Sequence, residues 1–155
     1  MKIKEVVTST RDIDINITGI TLLNEREYEF YKSIIPNATN SSTWWLRPLA
    51  LQTGLIFSYV NENGNVSISD FPSYEIHEVR PVLLFDACDV RVGARFRFGG
   101  YSWTVLSSIG AICDSSIGEC QYKTNIATDD DMTKFETSDI KAYIENWLKG
   151  ELNNE

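Results

Sequence analysis

Two apolar segments that each contain an arginine constrain the fold more than any other feature of this sequence. The first is Trp44-Trp45-Leu46-Arg47, and the second is Val79-Arg80-Pro81-Val82-Leu83-Leu84. Aromatic and β-branched residues favour strands, and short apolar runs of this kind are typical of buried strands. The two segments therefore predict a β-rich core that contains both arginines.

Arg47 and Arg80 have two candidate roles, because a guanidinium suits both a binding site and a core. In the first role, each binds an anionic ligand. In the second, each stacks on a tryptophan or donates to backbone carbonyls inside the fold, which a planar guanidinium does well. Since apolar residues flank both arginines, we favour the structural role. We assign Trp44, Trp45 and Trp103 to the same internal framework.

The first of two predicted helices follows Leu23. Asn24 and Glu27 have the spacing of a capping box, in which each side chain satisfies a backbone N–H at the helix start. Leu23 and Tyr28 occupy the positions of a hydrophobic staple across this start. Pro36 is predicted to end the helix, because proline cannot donate the next backbone hydrogen bond.

The second predicted helix begins at Thr137 or Ser138, since a hydroxyl caps a helix start well. Asp139 then stands at the positive end of the helix dipole. Gly150 is predicted to stop this helix. Its apolar face has helical spacing and consists of Ile140, Tyr143, Ile144, Trp147 and Leu148.

Most of the remaining sequence predicts strands and turns. Strands are predicted at residues 13–23, 44–47, 55–60, 66–69, 79–85, 96–98, 101–106 and 111–113. Pro81 indicates an edge or a bulge in its strand. Residues 70–78 are predicted to form a loop, and residues 114–137 are predicted to be irregular. We therefore expect one domain over residues 1–155, of class α+β, with a compact antiparallel β core and two flanking helices.

The charge of the chain is negative and unevenly distributed. The net charge is −8, and residues 114–155 contain ten Asp/Glu against four Lys/Arg. A surface this acidic repels phosphates, which argues against direct binding of nucleic acid. The acidic part is either a solubilising surface or a surface for a partner, in which case that partner is a protein, one candidate being a basic nucleic-acid-binding protein.

Catalytic and metal-binding patterns are weak in this sequence. A structural zinc site needs about four closely spaced ligands, whereas the chain has three cysteines and one histidine, without a CxxC pair. A pair of His77 with Cys88 or Cys113 is conceivable, but the spacing does not define a nucleophile, a base and an orienting group. The run Asp129-Asp130-Asp131 lacks the glycine and glutamate of a calcium-binding loop. We expect no catalytic residues, no metal and no cofactor.

The sequence contains neither a signal peptide pattern nor an apolar run long enough to span a membrane. An odd number of cysteines without disulfide spacing favours reduced thiols. We therefore expect a cytoplasmic protein without a membrane partner.

Several segments together resemble an uncharacterised family of small bacterial and phage-encoded proteins. The family marks are a helix start of the form LL-S/N-x-x-E-Y, a WWLRS strand and a VRPAL strand. They correspond here to Leu22–Tyr28, Trp44–Arg47 and Val79–Leu83, and later similarities at residues 98–105, 111–114 and 138–140 extend the resemblance over most of the chain. The chain departs from the pattern at Pro48, where the family usually has serine, and residues 50–58 lack its Gly/Ser-rich run.

The resemblance implies a fold similar to C-type lectins and a non-enzymatic module, of phage or mobile-element type, that binds a protein or a small ligand. It transfers no catalytic residues. Together with the charge, it suggests an alternative: an acidic, anti-CRISPR-like inhibitor that mimics nucleic acid and blocks the basic groove of a nuclease of host defence. The residues that we expect to contact a partner are all acidic: Asp114, Glu119, Asp129, Asp130, Asp131, Glu136 and Asp139. A bacterial host cytoplasm is the expected location.

Overall fold

The computed structural model describes residues 2–4, 12–36, 42–48, 57–69, 75–87, 90–122 and 135–153. Within these ranges the fold is mixed α+β, with two β-sheets, two α-helices and a short 3₁₀ helix at Phe135–Thr137. The predicted class is therefore confirmed. In place of one β core, however, the strands divide into two sheets.

The larger sheet has six strands in the order β1-β2-β7-β10-β9-β8, and all neighbours are antiparallel. The bounds are β1 Lys2–Lys4, β2 Asp12–Thr21, β7 Val82–Ala87, β8 Arg95–Phe98, β9 Tyr101–Ser107 and β10 Gly110–Cys113. The two edge strands β1 and β8 approach each other, so the sheet curls into a half-barrel. As the alternating isoleucines predicted, β2 is a strand, and its register shifts between Ile17 and Gly19.

The smaller sheet has five short strands in the order β11-β6-β3-β4-β5. The bounds are β3 Trp44–Trp45, β4 Phe57–Val60, β5 Val66–Ser69, β6 His77–Glu78 and β11 Glu119–Cys120. Strands β4 and β5 form the predicted hairpin, whose turn contains Gly64 at φ 81°. The core is not antiparallel throughout, since β3 and β6 pair in parallel through Trp44 and Glu78.

Helix α1 spans Glu25–Tyr31 and begins with the predicted capping box. The Asn24 side chain accepts from the Glu27 N–H at 2.8 Å, and Glu27 Oε1 accepts from the Asn24 N–H at 2.9 Å. The helix ends at Tyr31, five residues before Pro36, and continues as a turn in which the Ile34 N–H donates to the Tyr31 carbonyl. The predicted end at Pro36 was therefore wrong by five residues; proline disfavours helical geometry only in the residue directly before it, Ile35, and does not account for the earlier end.

Helix α2 spans Asp139–Asn153, and Ser138 caps it by accepting a hydrogen bond from the Lys141 N–H. It buries the predicted apolar residues Ile140, Ile144 and Leu148, whereas Tyr143 is 37% exposed. The predicted stop at Gly150 was wrong. Glycine ends a helix when it adopts a left-handed conformation, and Gly150 remains helical.

Three further expectations need correction, concerning Pro81, residues 70–78 and residues 114–137. Strand β7 begins at Val82, after the proline, and lies inside the six-stranded sheet rather than at an edge. Proline cannot donate within a ladder, and it therefore precedes the strand. His77–Glu78, predicted as loop, is strand β6; residues 114–137, predicted as irregular, include β11 and the 3₁₀ helix.

The buried apolar residues of the described ranges form two clusters. The larger contains Trp45, Trp103 and the buried face of α2, and the smaller contains Trp44, Tyr28 and Leu46. The tandem tryptophans thus point into different clusters, as alternation along a strand requires. Among the described residues, neither helix is long and apolar enough to cross a membrane.

Candidate functional site

A pocket of about 320 Å³ lies beside the parallel pair of strands β3 and β6. Because successive side chains of a strand point to opposite faces, alternate residues of the two segments share one face. The pocket walls combine three hydroxyls, two carboxylates, one indole and one guanidinium: Ser42, Ser115, Ser116, Glu78, Asp114, Trp44 and Arg80. The site is therefore strongly polar, with Trp44 as its single aromatic residue.

Arg80 is the most deeply buried charged group of this pocket, with 4% of its surface exposed. Its Nε donates to the Cys113 carbonyl at 3.1 Å, and its Nη2 donates to the carbonyls of Pro36 at 2.8 Å and Asp114 at 3.2 Å. The guanidinium carbon lies 5.0 Å from the centre of the Trp44 ring. Arg80 thus joins three chain segments through neutral acceptors and a stacked indole.

The charge of Arg80 has no carboxylate partner within ion-pair distance in the part of the chain that the structure describes. Its Nη1 likewise has no acceptor among the described residues, and it is not sealed from solvent. Burial lowers the pKa of Arg80 from its usual value, but an arginine remains protonated in proteins. The pocket therefore contains a fixed positive charge with one uncommitted nitrogen.

Backbone hydrogen bonds hold the serine side of the pocket against Arg80. The Val79 N–H donates to the Gly118 carbonyl at 2.9 Å, and the Ile117 N–H donates to the Val79 carbonyl at 3.0 Å. The Cys113 N–H donates to the Pro81 carbonyl at 2.9 Å. The segment 113–118, which supplies Ser115 and Ser116, is thereby fixed to the residues on both sides of Arg80.

Asp114 was expected to face a partner, and the structure corrects this expectation. Its residue exposure is 7%, and its Oδ2 accepts from Arg95 Nε at 2.8 Å and Arg95 Nη2 at 2.7 Å. Its Oδ1 accepts from the Thr104 hydroxyl. A buried carboxylate needs such partners, and they neutralise Asp114 as part of the pocket wall.

The thiol of Cys113 lies behind the pocket and is fully buried. Burial raises its pKa to about 11, although the hydrogen bonds from Ser115 and the charge of Arg80 oppose the rise. The thiolate is the reactive form of cysteine, so this thiol is almost entirely unreactive at neutral pH. Cys113 therefore does not supply a nucleophile to the pocket.

Arg47 occupies a different environment, outside the pocket walls. Its Nη2 donates to Glu27 Oε1 at 2.7 Å, and its Nε donates to the Leu22 carbonyl at 3.0 Å. The same Glu27 oxygen accepts from the Asn24 N–H, so Arg47 reinforces the cap of α1. Its side chain is 25% exposed.

The opposite face of β3 and β6 packs into the larger cluster and contains His77. The ring of His77 stacks on Tyr59 at 3.9 Å and meets the Trp45 ring edge-on at 4.5 Å. Its Nδ1 lies 2.6 Å from the Thr43 hydroxyl, and its Nε2 lies 3.2 Å from Glu75 Oε1. Burial lowers the pKa of His77, although Glu75 opposes the shift.

Thr43, His77 and Glu75 resemble the hydroxyl, imidazole and carboxylate of a hydrolase in composition. Thr43 stands between the pocket residues Ser42 and Trp44, so alternation directs its side chain away from the pocket. The ring nitrogens of His77 contact Thr43 and Glu75 rather than Cys113, and Cys88 lies outside the described residues. This arrangement holds the imidazole in the core and does not reach the pocket.

The other predicted structural tryptophan, Trp103, is fully buried, and its Nε1 donates to the Phe98 carbonyl at 2.9 Å. Trp45 is also fully buried and donates from Nε1 to the Cys120 carbonyl at 2.7 Å. Both indoles therefore have apolar surroundings and a satisfied N–H, which is how a buried tryptophan is stabilised.

Three of the predicted acidic partner residues are exposed: Glu119, Glu136 and Asp139. The Ile140 N–H donates to the Tyr122 carbonyl at 3.3 Å, which brings the start of α2 beside the end of β11. Burial raises the pKa of Cys120, the neighbour of Glu119, to about 11, and the charge of Asp139 adds to the rise. We call Glu119, Glu136 and Asp139 the acidic edge.

The other members of the predicted set, Asp129, Asp130 and Asp131, lie outside the described residues. Within the described ranges, no group of three or more His, Cys, Asp or Glu side chains is arranged to hold a metal ion.

Sequence reasoning missed the serines of the pocket and Glu78. A turn-like Asp114-Ser115-Ser116 directly after a strand was a usable signal, since strand ends often carry functional side chains. The meeting of this turn with Arg80 depends on the tertiary pairing of residues 79–81 with 113–118, which no local pattern encodes.

Comparisons with known proteins give no match: no family model, no curated protein and no solved structure matches this chain. The function must therefore be argued from the geometry of the pocket and of the acidic edge.

Proposed function

We propose that this chain is a non-enzymatic binding module, of phage or mobile-element type, whose binding site is the pocket around Arg80. One observation carries the proposal: a buried arginine has one guanidinium nitrogen uncommitted at a polar pocket. Binding sites are typically concave and contain a few fixed polar groups that orient the ligand. Arg80 is fixed by three carbonyls and Trp44, so it is preorganised to bind.

The absence of catalysis is part of the proposal. Its support is the chemistry of the pocket walls, where Asp114 is neutralised by Arg95 and the nearby Cys113 thiol has a pKa of about 11. The imidazole of His77 lies on the opposite face of the strand pair. The groups that face the pocket are suited to hydrogen bonding and charge recognition.

A pocket-blocking variant tests the proposal. In Ser115→Trp, a large ring replaces an exposed serine at the pocket, and Ser108→Trp introduces the same ring at an exposed turn elsewhere. The wild type and both variants are immobilised, incubated with lysate of a bacterial host, and analysed for retained metabolites and proteins. We expect the wild type and Ser108→Trp to retain the same species, and Ser115→Trp to lose them. Equal retention by Ser115→Trp would refute the pocket as the binding site.

The resemblance to phage-encoded proteins supports two finer statements, which we propose with the function. The arrangement of strands and flanking helices is of C-type-lectin-like type, in which loops over a rigid scaffold contact the ligand. The protein acts in the cytoplasm of the bacterial host, where its cysteines stay reduced. A crystal structure would test the first statement through the connection of its strands, and fractionation of infected cells would test the second.

A second candidate function is supported by the acidic edge. In this alternative, the chain is an acidic inhibitor that places Glu119, Glu136 and Asp139 in the basic groove of a nuclease of host defence, as a mimic of nucleic acid. The supporting observation is that all three carboxylates are exposed, with Glu136 lying 3.4 Å from Lys141 Nζ, and that the start of α2 lies beside the end of β11. Exposed charge contacts weaken as salt rises, because ions screen them.

The two candidates respond differently to the same variants. A Cas nuclease of the host, loaded with its guide RNA, is assayed for DNA cleavage with added wild type, with the triple variant Glu119→Gln, Glu136→Gln, Asp139→Asn, and with Ser115→Trp. The inhibitor predicts blocked cleavage at low salt, relief in the triple variant, and no effect of Ser115→Trp. Unimpeded cleavage with the wild type at low salt would contradict it.

A further inference from the structure

A buried charged group is normally paired with an opposite charge, and this indicates which class of ligand suits the Arg80 pocket. Transfer of an unpaired charge out of water is costly, so buried guanidinium groups usually contact carboxylates. Within the described ranges, Arg80 is 4% exposed and contacts neutral carbonyls and the Trp44 ring, while the carboxylates of Asp114 and Glu78 act on it only from beyond ion-pair distance. Its open nitrogen therefore favours a ligand that brings a negative group.

Glu78 lies on another wall of the same pocket, and its negative charge favours a ligand that also carries a positive group. Its carboxylate forms neither an ion pair nor a hydrogen bond within the described part of the chain, and it attracts the Arg80 charge only from beyond ion-pair distance. Strand pairing fixes its position, because Glu78 lies opposite Trp44 in the β3–β6 pair. The pocket thus offers a positive and a negative group that are held apart.

The charged groups and the hydroxyls of the pocket argue against two classes of ligand, phosphate dianions and fatty acids. A phosphate dianion would meet the repulsion of Glu78, and Asp114 cannot turn away because Arg95 and Thr104 hold it. A fatty acid would need apolar walls, whereas hydroxyls of Ser42, Ser115 and Ser116 line this pocket. A volume of about 320 Å³ lies at the small end of ligand sites.

We propose that the Arg80 pocket binds a small zwitterion, the simplest being a free α-amino acid with a small polar side chain. The ligand carboxylate accepts from Arg80 Nη1, its ammonium group contacts the carboxylate of Glu78, and the Ser42 hydroxyl bonds its side chain, since Ser115 and Ser116 already bond to Cys113 and Gly118. This inference rests on the proposed function and adds the chemistry of the ligand.

A panel of probes separates the two charge requirements. L-serine carries both groups, acetate only the carboxylate, ethanolamine only the ammonium, and inorganic phosphate tests a multiply charged anion. Binding is measured by calorimetry, and the site by amide chemical shifts. We expect L-serine to perturb Glu78, Ser115 and Ser116, with an affinity at least tenfold above that of each other probe.

Two carboxylate variants provide a matched comparison that leaves the buried Arg80 in place. Glu78→Gln should weaken L-serine binding at least tenfold without weakening acetate binding, whereas Glu62→Gln, which changes an exposed carboxylate in the turn between β4 and β5, should change neither. Acetate or phosphate binding as tight as L-serine, or an unchanged Glu78→Gln variant, would overturn the zwitterion. If neither L-serine nor glycine, tested as a second zwitterion, binds, the zwitterion proposal is overturned. In that case, pocket-dependent retention of a species from lysate would still support the binding module.

Discussion

Two arginines on neighbouring strand segments of this molecule have opposite electrostatic surroundings. Arg47 is partly exposed and pairs with Glu27, whose carboxylate also caps helix α1. Arg80 is buried and contacts three carbonyls and the Trp44 ring. Both follow apolar residues, so the sequence makes them look equivalent.

The two arginines differ in whether a carboxylate of the chain lies within ion-pair distance of the guanidinium. The charge of Arg47 is compensated within the chain, and its contacts serve the junction of β3 and α1. The charge of Arg80 is solvated by neutral dipoles, and the carboxylates of Asp114 and Glu78 act on it only from beyond ion-pair distance. In the proposed function, Arg47 therefore belongs to the scaffold alone, whereas Arg80 belongs to both the scaffold and the binding site.

The largest effect is expected from removing the ring beneath Arg80. Trp44→Ala should lower the free energy of unfolding by about 3–5 kcal/mol, because it leaves a large cavity in a packed cluster. Trp103→Ala should cost a similar amount, since Trp103 is equally buried and lies in the other cluster. Urea denaturation followed by circular dichroism measures both. A Trp44→Ala variant as stable as the wild type would show that this ring does not support Arg80.

Arg80→Met should have the next largest effect. It leaves the carbonyls of Pro36, Cys113 and Asp114 without their donor, and each unsatisfied buried acceptor costs about 1–3 kcal/mol. Allowing for relaxation and for the apolar replacement, we expect a loss of about 3 kcal/mol in urea denaturation. A loss below that of Arg47→Met would invert the comparison between the two arginines.

Arg47→Met should lower the free energy of unfolding by about 1 kcal/mol, because partly exposed ion pairs contribute little. The effect should depend on Glu27. In a Glu27→Gln background, the same substitution should cost measurably less, since the two side chains interact directly. A double-mutant cycle provides this measurement, and a zero coupling energy would show that the ion pair is not formed in solution.

The smallest effect is expected from acid, and it concerns the face opposite the pocket. The folded-state pKa of His77 is lowered, so the folded protein binds a proton less readily than the unfolded chain does. Stability is therefore fully retained above about pH 6.5 and falls as the pH drops below that value. Melting temperatures from pH 8 to 5 measure this fall, and His77→Gln should flatten it relative to the wild type.

Local patterns predicted the elements whose determinants lie close together in the chain. The capping box of Asn24 and Glu27, the turn at Gly64 and the cap at Ser138 each depend on a few adjacent residues. The ends of both helices were predicted less well. The first helix ends at Tyr31, before the reach of Pro36, and glycine at 150 stops a helix only in a left-handed conformation that it does not adopt here.

The candidate site was less predictable, because its walls come from distant segments. Asp114 looked like a surface charge, since its partner Arg95 comes from a different strand. Glu78 and the serines carry no distinctive spacing, and they meet Arg80 only through the pairing of residues 79–81 with 113–118. Burial and partner choice, which decide the roles of these side chains, are properties of the tertiary fold.

Strands β3 and β6 line the pocket with one face and the core with the other, so a change in the length of either strand affects both. Alternation places Glu78 and Arg80 on the pocket side and His77 and Val79 on the core side. A single-residue insertion or deletion within this segment would exchange the two sets, driving charges into the core and apolar groups into the pocket. Descendants of this chain can therefore change ligand preference through substitutions here, while length changes must fall in the connections around it.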